Sequence, residues 1–313
     1  DPPSLEWLRH SGRGATPAAG QSPFRGACWY GLLRGLLTVA GAPVSGDALG
    51  HNACMTLAIL SALPEEQQGV VDLLTTSPAR QHIRCGGRDF WCGHFASKSG
   101  PQPVVLALAG IGKVAAATTA TVLVERFGVR QIVFTGVAGG LGAGVRVGDV
   151  VVGSGFVQHD MDASPLFPRH EVPLYGRSEF AADAALTSQL HAAATQFCAD
   201  VPRQLDAAVL ARLGVSLPRV HQGVLIAGDR FVATAAESQA LRDALPAALA
   251  VDMESAAVAQ VCHDFGVPFA AMRTVSDRAD ATAHVDFPLF LSQLAAPYAR
   301  GIMALLLQLL YKK

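Results

Sequence analysis

The stretch AVDMESAAVAQVCHDFGVPFAAMRTVSDRAD, residues 250–280, decides how the chain is read. Two short apolar runs, 248–252 and 268–275, have the length and flanks of buried strands, and 253–265 between them has the pattern of a helix. Both runs finish on acids: Asp252 and Glu254 at the first, Asp277 at the second. Only 16% of the residues are charged, so carboxylates at the ends of two buried strands require a reason.

Working outward, short apolar runs alternate with helical patterns. Strands are expected at 56–62, 83–97 (broken, as a hairpin), 103–109, 131–136, 147–157 and 219–227. Helices are expected at 64–75, 112–127, 182–197, 235–245 and 286–310. This order predicts an α/β domain with a largely parallel or mixed sheet covered by helices. Ligands of such sheets sit beyond the carboxyl ends of the strands. The residues just beyond each strand are therefore informative: Pro64–Glu66, Gly110–Lys113, Gly136–Gly140, Gly228–Phe231, Asp252–Glu254 and Ser276–Asp277. Each acid alone reads as a helix cap. Three acid clusters, each after an apolar strand, point instead to a deep site rich in carboxylates.

The glycine turns narrow the chemistry. GVAGGLGAGVRVGD (136–149) has no GK[ST] ending and leads into another strand rather than a helix, which argues against a Walker A loop and a dinucleotide fold. Close backbone approach to a ligand is the other use of such glycines. AGIGKVAAATTATVLVERFG (109–128) opens directly into a helix, whose N-terminus suits an anion; Lys113 there reads as a phosphate ligand or as a solvated first-turn lysine.

Composition bounds the partners. Half of the 313 residues are hydrophobic and the formal net charge is −1, which predicts neither nucleic acid nor a membrane surface as partner. No apolar run reaches the ~18 residues of a membrane helix. The six cysteines form no CxxC pair. Cys85 and Cys92, with His82 and His94, fit no zinc spacing well, and scattered thiols suit a reducing cytoplasm. Residues 1–27 lack sustained periodicity, and residues 1–54 as a whole precede the first methionine, Met55. Residues 1–54 are expected to be a disordered or non-native extension, with a pro-segment or targeting region as the competing reading; 55–313 is expected to be a single domain.

ILSALPEE, AGIGKVAAATTATVLVE, TGVAGGL, VGDVVV, IAGDRFV, AVDMESAAVAQVCHDFGVPF and RTVSDRAD with HVDF occur in this order over residues 55–310. Together they make the chain resemble the purine nucleoside phosphorylase/uridine phosphorylase superfamily, and within it the 5′-methylthioadenosine/S-adenosylhomocysteine nucleosidases. The resemblance implies a three-layer αβα fold with a central mixed, partly barrel-like sheet, and a purine nucleosidase that needs no cofactor and no metal. Cleaving an N-glycosidic bond requires an acid for the leaving base and a base for the attacking water. The acid must stay protonated near neutral pH, which burial of a carboxyl group favours. By resemblance Asp277 protonates the adenine and Ser276 orients it. Glu66, rather than its neighbour Glu65, activates water, and Arg273 lies near the water and the acids. Glu254 binds the ribose hydroxyls with Met253 under the sugar. Phe231 stacks on the base and the backbone of Val232 reads its edge. Asp252 is expected to be structural or to support the residues that meet the ligand.

A phosphorylase needs cations for its dianionic nucleophile. The turn SALPEE has two acids and no cation, which favours water. Val137 occupies a position where many nucleosidases carry a hydroxyl, and the segment 159–180 departs from their usual sequence. The resemblance alone implies a homodimer in which this segment lies near the neighbouring site. Phe167, with Leu166 and Pro168, is expected to join Leu63 and Phe287 around an apolar 5′-substituent; Arg169 and His170 would instead meet a polar tail. The alternatives are a hydrolase of another nucleoside, such as futalosine or 5′-deoxyadenosine, a phosphate-dependent phosphorylase, and, least favoured, a non-catalytic purine-binding protein.

Overall fold

A computed structural model describes residues 56–74, 80–279 and 283–311; the predicted N-terminal extension, residues 1–54, lies outside them. The chain runs β1 (Leu57–Ser61), α1 (Pro64–Val71), β2 (Gln81–Cys85), β3 (Arg88–Ser97), β4 (Gly100–Leu108), α2 (Lys113–Phe127), β5 (Gln131–Gly140), β6 (Val150–Gln158) and β7 (Glu179–Ala181). It continues through α3 (Ala184–Gln204), α4 (Ala207–Arg212), β8 (Val220–Ala227), α5 (Ala235–Ala244), β9 (Ala248–Asp252), α6 (Ser255–Phe265), β10 (Phe269–Asp277) and α7 (Ala283–Phe290). A π-helical turn, Leu291–Ala295, then leads into α8 (Ala296–Leu310).

The sheet is mixed and partly closed. β5, β10, β6, β8 and β9 pair in a ring, because β9 returns antiparallel onto the end of β5. From β5 the sheet extends through β1, β4, β3 and β2. Helices cover both faces. Alternate β1 residues divide between them: Ala58 and Leu60 pack in a core with Ala120 and Leu123 of α2 and Val258 of α6. Leu57 and Ile59 pack in another core with Val70 of α1, Leu190 and Phe197 of α3, and Ile302 and Leu306 of α8. A strand buried on both faces reads as a continuous apolar run, as LAIL does.

The structure departs from the sequence expectations at several elements. Gly136–Gly140 is not a turn after β5 but its continuation, paired with β10 and, at Gly139 and Gly140, with β9. Glycine has little β propensity of its own; long-range pairing makes this a strand. The three-residue β7 and the short α4 carry too little periodicity to be read. α3 runs past its predicted end at 197 and includes Pro202. At the C-terminus, Phe287–Leu310 forms a helical run of 24 residues with mean hydropathy 1.3. That is long and apolar enough to cross a bilayer, contrary to the sequence expectation. Its inner residues Tyr298, Ile302, Met303 and Leu306 are fully buried in the domain core. The π-helical turn precedes Pro297, which lacks an N–H and cannot continue the regular ladder there.

Candidate active site

Residues from the carboxyl ends of the ring strands, together with Leu63 and Glu66 beyond β1, enclose a cavity of about 350 Å³. Four carboxylates line it, Glu66, Asp252, Glu254 and Asp277, together with two arginines, Arg230 and Arg273.

Glu66 lies in the first turn of α1. Its Oε2 accepts from the N–H groups of Ala62 at 2.8 Å and Leu63 at 2.9 Å, and its Oε1 accepts from Val137 N at 3.1 Å. It is therefore a cap, the role that each acid alone suggests, and it also joins α1 to β5 at the cavity wall. Glu65 beside it is exposed. Burial pushes the Glu66 carboxyl above its ordinary range, opposed by these backbone donors and by Arg273. Val137 brings no hydroxyl, but its backbone N–H supplies a donor to the same carboxylate.

Arg273 is buried on β10 with its guanidinium 4.1 Å from the centre of the Phe134 ring. Its Nη1 donates to the carbonyls of Met272 at 3.1 Å and Phe134 at 3.4 Å. Nε stands 2.8 Å from Asp252 Oδ2 as an ion pair, although the N–H is not aligned for a hydrogen bond. Nη2 has no hydrogen-bond partner among the described residues. A buried donor left over in this way is available to the contents of the cavity.

The two acids of the opening stretch reach the same space by different means. Asp252 Oδ1 caps α6, accepting from Glu254 N and Ser255 N, each at 3.0 Å. That turns the chain so that Met253 and Glu254 line the cavity. Glu254 Oε1 accepts from Gly112 N at 2.9 Å. Burial first, then the nearby Asp252 carboxylate, push Glu254 up to about 7. On β10, Val275 pairs with Ala138 but Asp277, not Ser276, pairs with Gly139. This bulge lets both consecutive residues line the cavity. Ser276 Oγ donates to Asp277 Oδ2 at 2.7 Å, and Asp277 Oδ1 accepts from Ala279 N at 2.8 Å.

The glycines of β5 make room for these acids. A Cβ on Gly136 would stand 3.1 Å from Glu66 Oε1; one on Gly139 would stand 2.9 Å from Ala279 Cβ and 3.1 Å from Asp277 Oδ1. Backbone approach was the expected use of these glycines; what approaches is the protein's own pair of carboxylates.

The aromatic wall is Phe231, 45% exposed, in edge-to-face contact with Phe287 at 5.6 Å. Leu63 and Val232 also line the cavity. Phe167 does not. The 159–180 segment folds away over α6, where Tyr175 OH donates to Asp264 at 2.8 Å and the Tyr175 ring meets Phe180 and His263. Leu166 stays 83% exposed. Arg169 stands by Asp162, and neither it nor His170 lines the cavity. The sequence reading missed Ile111 and Arg230, which do; both sit on loops after strands, where position was the available signal. Cys85 and Cys92 lie at opposite ends of the β2–β3 hairpin.

A ring of strands with acids gathered at its carboxyl ends has clear relatives. The sequence pattern of the phosphorylase superfamily matches residues 56–308, and the chain belongs to that superfamily. It is 31% identical over 255 residues to a 5′-methylthioadenosine/S-adenosylhomocysteine nucleosidase of Shewanella denitrificans, a match covering 82% of this chain and all of that one. It is 37% identical over 218 residues to the protein of the same name from Mycobacterium bovis, covering 65% of this chain and 80% of that one. Among solved structures it is similar to that nucleosidase from Neisseria meningitidis in complex with methylthio-immucillin-A, with TM-score 0.68, 31% identity, and coverage of 81% and 99% of the two chains. It is also similar to the futalosine hydrolase of Helicobacter pylori, with TM-score 0.66, 27% identity, and coverage of 81% and 97%.

Proposed function

We propose that the protein hydrolyses the N-glycosidic bond of 5′-methylthioadenosine and S-adenosylhomocysteine. Asp277 gives its proton to N7 of the adenine as the C1′–N9 bond breaks and its electron pair passes to the base. Glu66 takes a proton from the water that bonds to C1′. Glu254 holds the ribose hydroxyls and, when ionised, favours the positive charge that develops on the sugar. Phe231 stacks on the purine, Met253 underlies the sugar, and Leu63 and Phe287 meet the 5′-substituent. The products are adenine and the 5-thioribose sugar, which suits methionine salvage in the cytoplasm.

The observation that carries the hydrolytic reading is the neutralisation of the one lysine on the turn after β4. Lys113 Nζ donates to Asp160 at 2.6 Å, and Lys113 does not line the cavity. Of the two cavity arginines, Arg273 pairs with Asp252 and Arg230 with Glu237. A phosphate dianion would meet four carboxylates there. The test is adenine release from both nucleosides with and without phosphate. Phosphate-independent release of adenine and free sugar is expected; release only with phosphate, giving a sugar 1-phosphate, would overturn the role given to Glu66.

Similarity to the futalosine hydrolase favours a second reading, in which the same chemistry acts on a nucleoside with a different 5′-substituent. The two rates, beside that for futalosine, rank these substrates. We further infer that residues 55–313 suffice for activity, and that a homodimer brings Phe167 of the 159–180 segment near the neighbouring site.

A further inference from the structure

The loops after β4 and β8 both face the cavity, and a carboxylate that does not line it ties them together. Asp160 follows β6. Its Oδ1 accepts from Lys113 Nζ at 2.6 Å and its Oδ2 accepts from Asp229 N at 2.9 Å. Asp229 Oδ1 in turn accepts from Lys113 N at 2.7 Å. These three contacts close a cycle. Lys113 Nζ extends it to Gln158 Oε1 at 3.1 Å, and Gln158 Nε2 to Gln260 Oε1 on α6 at 2.7 Å.

The residues on either side of the cycle serve the cavity. Gly112, one before Lys113, donates its N–H to Glu254. Arg230 and Phe231, just after Asp229, line the cavity wall. The fit is close: a Cβ on Gly112 would stand 3.0 Å from Asp229 Oδ1. The Lys113 side chain is 16% exposed and that of Asp160 32%, so the pair is partly screened from water and stronger than a surface ion pair. The Asp160 carboxyl is held below its ordinary range: burial raises it, but the Lys113 and Asp229 donors outweigh that.

We propose that Asp160 is a positioning residue for nucleoside binding: the cycle it closes sets both the Gly112 N–H that holds Glu254 and the loop that presents Phe231. The identity of the ligand rests on the nucleosidase reading; the role of Asp160 can be tested separately. It acts on sugar and base recognition, away from Glu66 and Asp277.

The experiment compares the wild type with Asp160→Asn and Lys113→Gln. Each is checked for melting temperature, for turnover of 5′-methylthioadenosine, and for calorimetric binding of methylthio-immucillin-A. Asparagine keeps one acceptor but turns a donor toward Lys113 or Asp229 N. In Asp160→Asn, KM and the inhibitor Kd are expected to rise about tenfold or more with kcat within about threefold of the wild type. Lys113→Gln, which retains the Asp160–Asp229 bond, is expected to shift both in the same direction by about threefold or more. A merely structural role would lower the melting temperature and leave KM of the folded protein unchanged.

The proposal is overturned if KM and Kd of folded Asp160→Asn stay within twofold of the wild type, or if kcat falls with KM unchanged. If Asp160→Asn does not fold, Lys113→Gln decides by the same two ratios. A wild type that binds the inhibitor but releases no adenine would sink the substrate reading alone, and the Kd ratios would still decide for Asp160. A wild type that does neither overturns both.

Discussion

At the residue scale, Glu66 is held by three backbone donors and still has acceptor capacity left on Oε1. Glu66→Gln keeps the shape and most of these contacts but cannot take a proton. Turnover is expected to fall by about 10²–10⁴, while inhibitor affinity changes little. Steady-state kinetics beside calorimetry check this; normal turnover would remove Glu66 from the mechanism. Glu254 makes a pH prediction. Its folded value of about 7 lies above the ordinary 4.5. Between those values the folded chain holds a proton that the unfolded chain has lost, so stability falls as pH rises through this window and levels off above it. Glu254→Gln should therefore raise the melting temperature at pH 8 and leave it nearly unchanged near pH 4. Because the ionised carboxylate is the better partner for ribose hydroxyls, kcat/KM should rise with pH through about 7. Glu254→Gln should flatten that limb; a limb that persists in the variant would belong to another group.

The convergence of Glu66, Glu254, Asp277 and Arg273 was legible from two facts about the sequence, their place after apolar strands and their resemblance to known motifs. Asp252, expected to be structural or to support the residues that meet the ligand, caps α6 and pairs with Arg273. A cap and an ion-pair partner look alike in a sequence, and Asp252 is both. Where the 159–180 segment packs on its own chain was not legible, because a loop's direction depends on what it meets, here Asp264 and His263 of α6 through Tyr175.

At the element scale, β5 and β10 work as a pair. The β10 bulge aims Asp277, and glycines in β5 leave space for it. Gly139→Ala is expected to displace Asp277 or Ala279 and to lower kcat about 10–100-fold with a smaller change in KM, since misplacing a reacting group by a fraction of an ångström is costly. Unchanged kcat would show that the acid can yield without loss. The GVAGG segment is where sequence reading failed for a physical reason. Its residues favour a turn locally, and only partners more than a hundred residues away, β9 and β10, make it a strand. The strands with strong local signals, such as LAILS in β1 and the apolar part of β10, were found within a few residues of their observed ends.

At the scale of the whole molecule, the superfamily match begins at residue 56. Deleting residues 1–54 is expected to leave adenine release within about twofold and the melting temperature nearly unchanged, because the superfamily match lies wholly beyond them. Loss of folding or of activity would assign that segment a role in the domain.

The ring of five strands has a further consequence for the order of events during synthesis. β5 emerges early, but its ring partner β10 arrives only after more than a hundred further residues, bringing Arg273 and Asp277 with it. Such distant pairing is slow to form. A nascent chain halted between residues 254 and 269 already carries Glu66 and Glu254, yet leaves the edges of β5 and β6 where β10 will dock unpaired, and exposed strand edges invite association with other chains. Ribosome stalling or truncation in that interval should therefore yield a product that is both inactive and prone to aggregate. The strand that brings Arg273 and Asp277 to the cavity is also the one that joins β5 to β6.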